Sequence, residues 1–368
     1  MKALQIITRL DPGGSSNICL TVARELKKKG FDIVIASGES TVAHDGVIWL
    51  KYLKREICPV YDVFAIIEIY RLIRKVEPDI LHLHSSKAGL AGRIAGRMAG
   101  VKKIYYQPHG IVFYGYFSRI KSLLILLTER IMAKHADRII ALAQKAKEEF
   151  LEYKVGKPEQ YRVIENGIDI EQFKPSSSEE KAEIRKEFGI SQEDIVFGMS
   201  GRLVKLKGHN FFIDAFEKLS EEHSNVKGLI VGGGDCLESL KKDVANRNLD
   251  DGVIFTGYRS DIPRVLQCMD VLVQPSIVEG FGMAIIEANA CAIPTIGFKV
   301  GGIIDIIRDG QTGMLTEYMD PGALHKAMSE LTRDPEKRKS MGAAARKHVE
   351  ENFTIEIMMK KILKCYNE

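Results

Sequence analysis

No apolar run of about 18 residues occurs in this 368-residue chain, so a membrane-spanning helix is not expected. The opening stretch, MKALQIITRL, passes at once into a charged, glycine-rich loop. It has neither the longer apolar region nor the small-residue cleavage site of a secretory signal, and cytoplasmic residence is the expectation. Cysteine is sparse: the six, at 19, 58, 236, 268, 291 and 365, include no close pair that would suggest a metal clip or redox motif, so reduced, structural thiols are predicted. The histidines supply no metal set. His82 and His84 alternate along a predicted strand and are expected on its opposite faces, which would keep them from a shared ion. Zinc-finger, RNA-recognition and repeated aromatic-basic patterns are missing, so nucleic acid is not an expected partner.

What is present reads as globular, with 45% hydrophobic and 28% charged residues, and the length exceeds the usual span of one core, so two domains are expected. The net charge of +4 conceals an asymmetry. Residues 1–165 carry 27 Lys and Arg against 17 Asp and Glu, a surplus of ten, whereas the remainder carries 26 against 32. A basic first half suits an anionic partner, either phosphate groups or a membrane surface.

Short apolar runs alternate with longer amphipathic ones. Strands are predicted at 3–9, 31–36, 79–83, 103–107, 138–142 and 162–164, with a first helix over 17–29. A polar passage, KPSSSEEK, follows residues 166–169 as a linker into a helix. The alternation then resumes with strands at 195–199, 226–231, 253–255, 271–274, 295–297 and 313–315, and helices over 335–351 and 355–365 close the chain. This pattern predicts an α/β protein with two helix-wrapped parallel sheets.

The richest segment is PSIVEGFGMAIIEANACAIP, residues 275–294, in which Glu279 and Glu287 flank a Gly-Phe-Gly turn that opens a helix. Two acids at such a spacing are, on their own, usually solvated. Here a strand precedes them and a buried helix follows, the part of an α/β sheet where ligands collect. A carboxylate accepts hydrogen bonds from vicinal sugar hydroxyls, and free amides at a helix start attract a diphosphate. A second constellation, Gly201-Arg202-Leu203-Val204-Lys205-Leu206-Lys207-Gly208, follows the strand at 195–199. Arg202 offers a planar fork and Lys207 a mobile point charge, together a candidate diphosphate clamp.

Other loops speak more weakly. Gly232-Gly233-Gly234-Asp235 lacks the spaced glycines of a dinucleotide fingerprint and is equally readable as a tight turn. Asp11-Pro12-Gly13-Gly14-Ser15 reads as a phosphate or acceptor loop or as an ordinary turn. His109-Gly110 follows a strand, and Gly301-Gly302 precedes a short helix.

In order and over nearly the whole chain, the early double glycine, His109-Gly110, Asn166-Gly167-Ile168-Asp169, Gly201-Arg202 with Lys207-Gly208, the paired glutamates, Gly301-Gly302, Asp309-Gly310 and Thr312-Gly313 resemble retaining glycosyltransferases of family 4, which have the GT-B fold. The resemblance implies two Rossmann-like parallel-sheet domains facing across a cleft. Residues 1–165 would bind the acceptor and 166–351 the nucleotide-sugar donor, with the helix at about 352–368 packing back on the first domain. It further implies that Arg202 and Lys207 hold the donor diphosphate, that Glu279 binds sugar hydroxyls with help from the backbone of Gly280, Phe281, Gly282 and Met283, and that Glu287 binds the ribose. His109 would contact the sugar, Gly13 and Gly14 would lie near the phosphate and acceptor, and Tyr258 and Arg259 would meet the base. The implied donor is a nucleoside diphosphate sugar, UDP-linked in preference to GDP-linked, with no metal or other cofactor required. Ala292 departs from the pattern, standing where many relatives have glycine.

The acceptor side rests on the basic first half. Ser85 and Lys87 in the HSSKAG stretch, together with Lys102, Lys103, Arg119, Lys121 and the apolar residues of 113–130, are read as a rim that docks on anionic membrane, unless residues 123–127 face the core. HSSKAG also resembles bacterial enzymes of capsule, surface-polysaccharide or lipopolysaccharide synthesis. The expectation is therefore transfer of a hexose or N-acetylhexosamine to a glycan or polyprenyl-linked acceptor, peripheral to the inner face of the cytoplasmic membrane. An epimerase of the same architecture and a non-catalytic nucleotide-sugar binder are the alternatives.

Overall fold

The computed structural model, which describes every residue except Ala43, Val112 and Tyr116, forms strands at the short aliphatic runs and helices at the longer amphipathic ones. It separates into two compact units, Met1–Gly167 with Glu356–Glu368, and Ile168–Ile355.

The first unit runs β1 (Lys2–Ile7), α1 (Gly14–Lys28), β2 (Asp32–Ser37), β3 (Val47–Trp49), α2 (Pro59–Val76), β4 (Ile80–His84), α3 (Ser86–Met98), β5 (Lys103–Gln107), α4 (Arg119–Ala133), β6 (Arg138–Ala141), α5 (Gln144–Glu152) and β7 (Tyr161–Val163). Its described strands form a seven-stranded parallel sheet in the order β3-β2-β1-β4-β5-β6-β7. Leu4, Ile6, Leu81, Leu83, Ile104 and Tyr106 belong to one buried apolar cluster with residues of α2, α3 and α4. On α3, Gly92 and Gly96 allow close approach, because a Cβ there would stand 2.2 Å from Leu83 and 2.7 Å from Leu81 side-chain atoms.

The second unit runs α6 (Ser178–Glu187), β8 (Ile195–Ser200), α7 (His209–Glu222), β9 (Val226–Val231), α8 (Leu237–Asn246), β10 (Val253–Gly257), α9 (Ile262–Leu266), β11 (Val271–Gln274), α10 (Met283–Ala290), β12 (Thr295–Phe298), α11 (Ile303–Ile306), β13 (Gly313–Thr316), α12 (Pro321–Arg333) and α13 (Pro335–Asn352). Its six-stranded parallel sheet has the order β10-β9-β8-β11-β12-β13. The polar linker ends in a capping box: Ser177 Oγ accepts from the Glu180 amide at 3.2 Å, and Glu180 Oε2 accepts from the Ser177 amide at 2.9 Å.

The final helix, α14 (Ile355–Asn367), belongs almost wholly to the first unit. Tyr105 Oη donates to the Cys365 carbonyl at 3.0 Å, and Glu368 accepts from Arg138 at 3.3 Å and from Arg162 Nε at 2.8 Å. The architecture is the expected α/β one, with two Rossmann-like sheets. Two departures are local. β3 is a three-residue edge strand, half to fully exposed, whose Val-Ile-Trp run is too short to stand out as a strand; α1 begins at Gly14, inside a Gly-Gly-Ser-Ser run of weak helix formers.

Ala292 occupies a position that favours glycine. It has φ 59° directly after α10, where the Ile293 amide donates to the Ala288 carbonyl and the Ala292 amide to the Asn289 carbonyl, both at 3.0 Å, the two bonds of a Schellman motif. Ala292→Gly removes the left-handed strain, partly offset by a more flexible unfolded chain, and is expected to stabilise the protein by about 0.5–1 kcal/mol. Thermal unfolding of the two proteins side by side checks this.

Candidate functional site

The second sheet reverses its winding between β8 and β11, and the loops leaving these strands carry the acids and bases singled out above. After β8 the chain turns at Gly201 and enters a 3-10 turn, Lys205–Lys207, closed by Gly208 at φ 72°. A Cβ on Gly208 would stand 1.9 Å from the Pro275 carbonyl oxygen, so this loop lies directly against the one after β11. The Ile277 amide donates to the Leu206 carbonyl at 2.8 Å and fastens the same two loops. This approach brings Lys207 Nζ to 2.5 Å from Glu279 Oε2.

Glu279 is polarised by its surroundings. Besides Lys207, Ser276 Oγ at 3.2 Å and Gln274 Nε2 at 3.4 Å donate to Oε2, and among the described residues no donor is bonded to Oε1. One oxygen is anchored and the other is left for a ligand hydroxyl. From below, the Gly302 amide donates to the Glu279 carbonyl at 3.0 Å, and a Cβ on Gly301 would stand 2.1 Å from that carbonyl oxygen. Gln274, Ser276 and the support given by Gly301 and Gly302 are absent from the sequence reading. The only signal for the first two is their polarity at the end of an apolar strand.

Beyond Gly280, the ring of Phe281 is buried edge-on against Phe353 at 5.9 Å, and Gly282 at φ 111° starts α10. As the first residues of the helix, Met283 and Ala284 have amides without an intrahelical acceptor. Glu287 lies on α10 within the field of Lys207; burial pushes its carboxyl up to about 7, against the lowering pull of that lysine. The same charge, added to burial, holds His209 at the start of α7 down at about 4.

The Glu287 shift has a testable sign. The folded protein binds this proton more tightly than the unfolded chain, so the contribution to stability is full below pH 4.5 and is lost as pH rises through about 7. Glu287→Gln is expected to leave the melting temperature near pH 5 unchanged and to raise stability at pH 8 by on the order of 1–3 kcal/mol. Melting curves across that range read the difference directly.

The remaining predicted residues of this unit are placed less uniformly. Arg202 is exposed and pairs with no acid among the described residues. Tyr258 and Arg259 follow β10, beside the glycine loop after β9. Tyr258 is 66% exposed and free to stack. The Arg259 guanidinium is instead bound to Asp261 at 2.8 and 2.7 Å and to Glu187 at 3.0 Å, so any ligand has to compete for it. Gly232 and Gly234 serve packing, since Cβ atoms there would stand 1.9 Å from the Gly201 carbonyl oxygen and 2.5 Å from that of Leu203.

In the first unit the reversal falls between β1 and β4. Gly13 caps α1 and Gly14 begins it, which leaves that helix's first amides open. Across the same crevice Ser85, at φ 70°, shares a hydrogen bond of 2.6 Å with Thr8 Oγ1, which also accepts from the Ala88 amide at 3.0 Å. His82 and His84 do not face opposite sides: their rings stack at 4.2 Å, because the strand period is two and residues i and i+2 share a face. His109 joins them, with its Nε2 3.0 Å from His84 Nδ1.

The six rim residues are not brought together. Lys102 and Lys103 sit at the start of β5, at the end of the sheet opposite the strand ends that carry Ser85, and Lys103 Nζ donates to the Tyr366 carbonyl at 2.5 Å. Lys87 pairs with Asp62 of α2. Arg119 and Lys121 open α4, and within 113–130 Tyr116 lies outside the described residues. On α4 only Leu126, Glu129 and Ala133 are buried, whereas Ile120, Leu123, Leu124 and Leu127 are 75, 54, 59 and 43% exposed, so most of this apolar face is turned to solvent. Buried Arg93 anchors the helix through Glu129 at 2.9 Å. No described helix is long and apolar enough to cross a membrane, and no described cluster of three or more His, Cys, Asp or Glu could hold a metal ion.

Comparison with known proteins places these sites in context. The family described as Glycosyltransferase Family 4 matches residues 12–172, and that described as Glycosyl transferases group 1 matches residues 180–348. The chain is 30% identical over 331 residues to the UDP-Gal:alpha-D-GlcNAc-diphosphoundecaprenol alpha-1,3-galactosyltransferase of Escherichia coli, covering 87% of this chain and 85% of that enzyme. It is 28% identical over 350 residues to the capsular polysaccharide biosynthesis glycosyltransferase CapM of Staphylococcus aureus, covering 93% and 91%. In fold it matches Anabaena Alr3699/HepE, solved in complex with UDP and glucose, at a TM-score of 0.88 and 22% identity, over 100% of this chain and 99% of the other.

Proposed function

We propose a donor, an acceptor and a stereochemical course for this chain, which belongs to glycosyltransferase family 4 and is a hexosyltransferase of GT-B fold. The donor is a UDP-hexose or UDP-N-acetylhexosamine bound at the β8/β11 crevice. The observation that carries this reading is the convergence there of Lys207, Glu279 and Glu287, with Arg202 exposed on the same loop as Lys207. Arg202, Lys207 and the amides opening α10 hold the diphosphate, Glu279 Oε1 takes a sugar hydroxyl, and Glu287 takes the ribose. Uridine is favoured over guanosine because the E. coli relative is described as using UDP-Gal and HepE was solved with UDP.

The acceptor is a polyprenyl diphosphate-linked sugar of a bacterial surface polysaccharide, capsule or lipopolysaccharide pathway. The diphosphoundecaprenol substrate in the E. coli relative's name and the capsular role in CapM's support this. The apolar face of α4, with Arg119 and Lys121 at its start, suits an anionic inner membrane surface on which such a lipid is presented.

Transfer proceeds with retention. The bond from the anomeric carbon to the diphosphate oxygen breaks as the acceptor hydroxyl bonds to the same face, and the hydroxyl proton passes to the departing diphosphate. Arg202 and Lys207 stabilise the negative charge that builds there, without a covalent glutamate intermediate. Because side chains supply this positive charge, turnover is expected to persist in EDTA. Incubation with UDP- and GDP-sugars and an undecaprenyl diphosphate-linked acceptor in anionic liposomes tests the reading. A retained glycosidic product from a UDP-sugar supports it; epimerised free donor, or transfer from GDP-sugars alone, contradicts it.

A further inference from the structure

We propose that His84 is a positioning residue: by donating from Nδ1 to Nε2 of His109, it holds His109 in the tautomer whose Nδ1–H points away as a fixed donor to a substrate hydroxyl. This rests on the reading of His109 as a substrate contact in a glycosyltransferase.

The hydrogen-bond inventory carries the inference. His84 is fully buried at the end of β4, between the stacked ring of His82 and that of His109. The His84 and His109 rings lie within 16° of parallel, with centroids 5.3 Å apart and nitrogens 3.0 Å apart, the geometry of two imidazoles joined end to end in one plane. Burial and the neighbouring His82 and His109 keep His84 well below its usual range, and burial holds His109 down at about 4, so both rings are neutral near pH 7. One must donate and the other accept.

The far nitrogen of His84 decides which. Among the described residues, His84 Nε2 is buried with no partner. Were the proton there, an N–H donor would be sealed from water unpaired, at a cost of about 1–3 kcal/mol, and orphaned buried N–H groups are rarer than unpaired acceptors. The proton therefore sits on Nδ1 and points at His109. Having accepted through Nε2, neutral His109 carries its own proton on Nδ1. His109 is half-buried, and among the described residues Nδ1 has no partner and is not one of the buried atoms lacking one, so it remains open to a ligand. A ring held this way is a donor of fixed direction rather than a base.

The rest of the column keeps His84 in place. His82 Nδ1 lies 2.7 Å from Tyr366 Oη, and the Ser85 amide following His84 donates to the Gln107 carbonyl at 3.2 Å. Glutamine and tyrosine supply no charge that would protonate the pair.

The test uses the full-length protein. In wild type labelled with 15N-histidine, the His109 proton is expected on Nδ1; finding it on Nε2 overturns the proposal without any variant. His84→Leu removes the donor, and kcat is expected to fall roughly tenfold or more while the melting shift produced by UDP is unchanged. His84→Asn presents an amide N–H near the same point and is expected to recover most of the loss. The double variant His84→Leu with His109→Ala should be no slower than His109→Ala alone. Additive losses, or no recovery by asparagine, would show that His84 does not act through His109. Full turnover by His109→Ala would instead overturn the substrate contact itself, and this proposal with it.

Discussion

Glu279→Ala is expected to lower turnover by at least about a hundredfold, the scale of losing a preorganised polar contact at the reacting sugar, while the melting temperature changes little. The work of this side chain is polar: Oε2 draws in Lys207, Ser276 and Gln274, and Oε1 is left over. Removing it frees Lys207, which is 24% exposed and is resolvated at modest cost. Glu279→Gln keeps one acceptor but loses the charge opposite Lys207, and an intermediate rate is expected. Steady-state kinetics with saturating donor separates the three proteins; wild-type turnover by Glu279→Ala would remove this residue from the site.

Gly301→Ala should be nearly as damaging from a position that need not touch substrate. Gly301 has φ 47°, and a Cβ there would stand 2.1 Å from the Glu279 carbonyl oxygen, so the loop carrying Glu279 has to move. Misplacing a reacting group by about an ångström costs on the order of a hundredfold, and left-handed alanine adds roughly 1–2 kcal/mol of strain. Gly310→Ala is the matched control: φ is 73° and no atom of the described residues lies within 4 Å of where its Cβ would stand. Both substitutions are expected to lower the melting temperature, but only Gly301→Ala should lower kcat/KM strongly. Equal activity in the two would mean that the glycine pair does not position Glu279.

These two glycines mark the limit of what the sequence reveals. The β8 and β11 loops were legible because each packs its chemistry into a few consecutive residues at a strand end, where apolar runs stop and glycines begin. Strand ends were readable to within a residue or two for the same reason, since most strands are buried on both faces and leave unbroken aliphatic runs. Contacts set by tertiary approach were not legible. Nothing in Gly301-Gly302 says that it lies under Glu279, and nothing in Arg259 says that Glu187, 72 positions earlier, neutralises it.

Sheet direction accounts for another part. Lys103 and Ser85 are both near strand termini, but one begins β5 and the other follows β4, so parallel strands carry them to opposite ends of the sheet. The histidines of β4 show the reverse. The period of two, applied correctly, puts His82 and His84 on one face, and the stacked rings obey it.

The central claim, that the crevice between β8 and β11 holds a nucleoside diphosphate, is tested most directly by thermal unfolding with UDP, GDP, ADP and CMP at equal concentrations, with and without Mg2+. A ligand that binds only the native state raises its melting temperature. A rise with UDP that is independent of Mg2+, that is largest among the four, and that shrinks in Arg202→Ala by the equivalent of roughly 1.5–3 kcal/mol is the predicted result. No rise with any of the four, or a rise that Arg202→Ala leaves intact, would contradict the assignment.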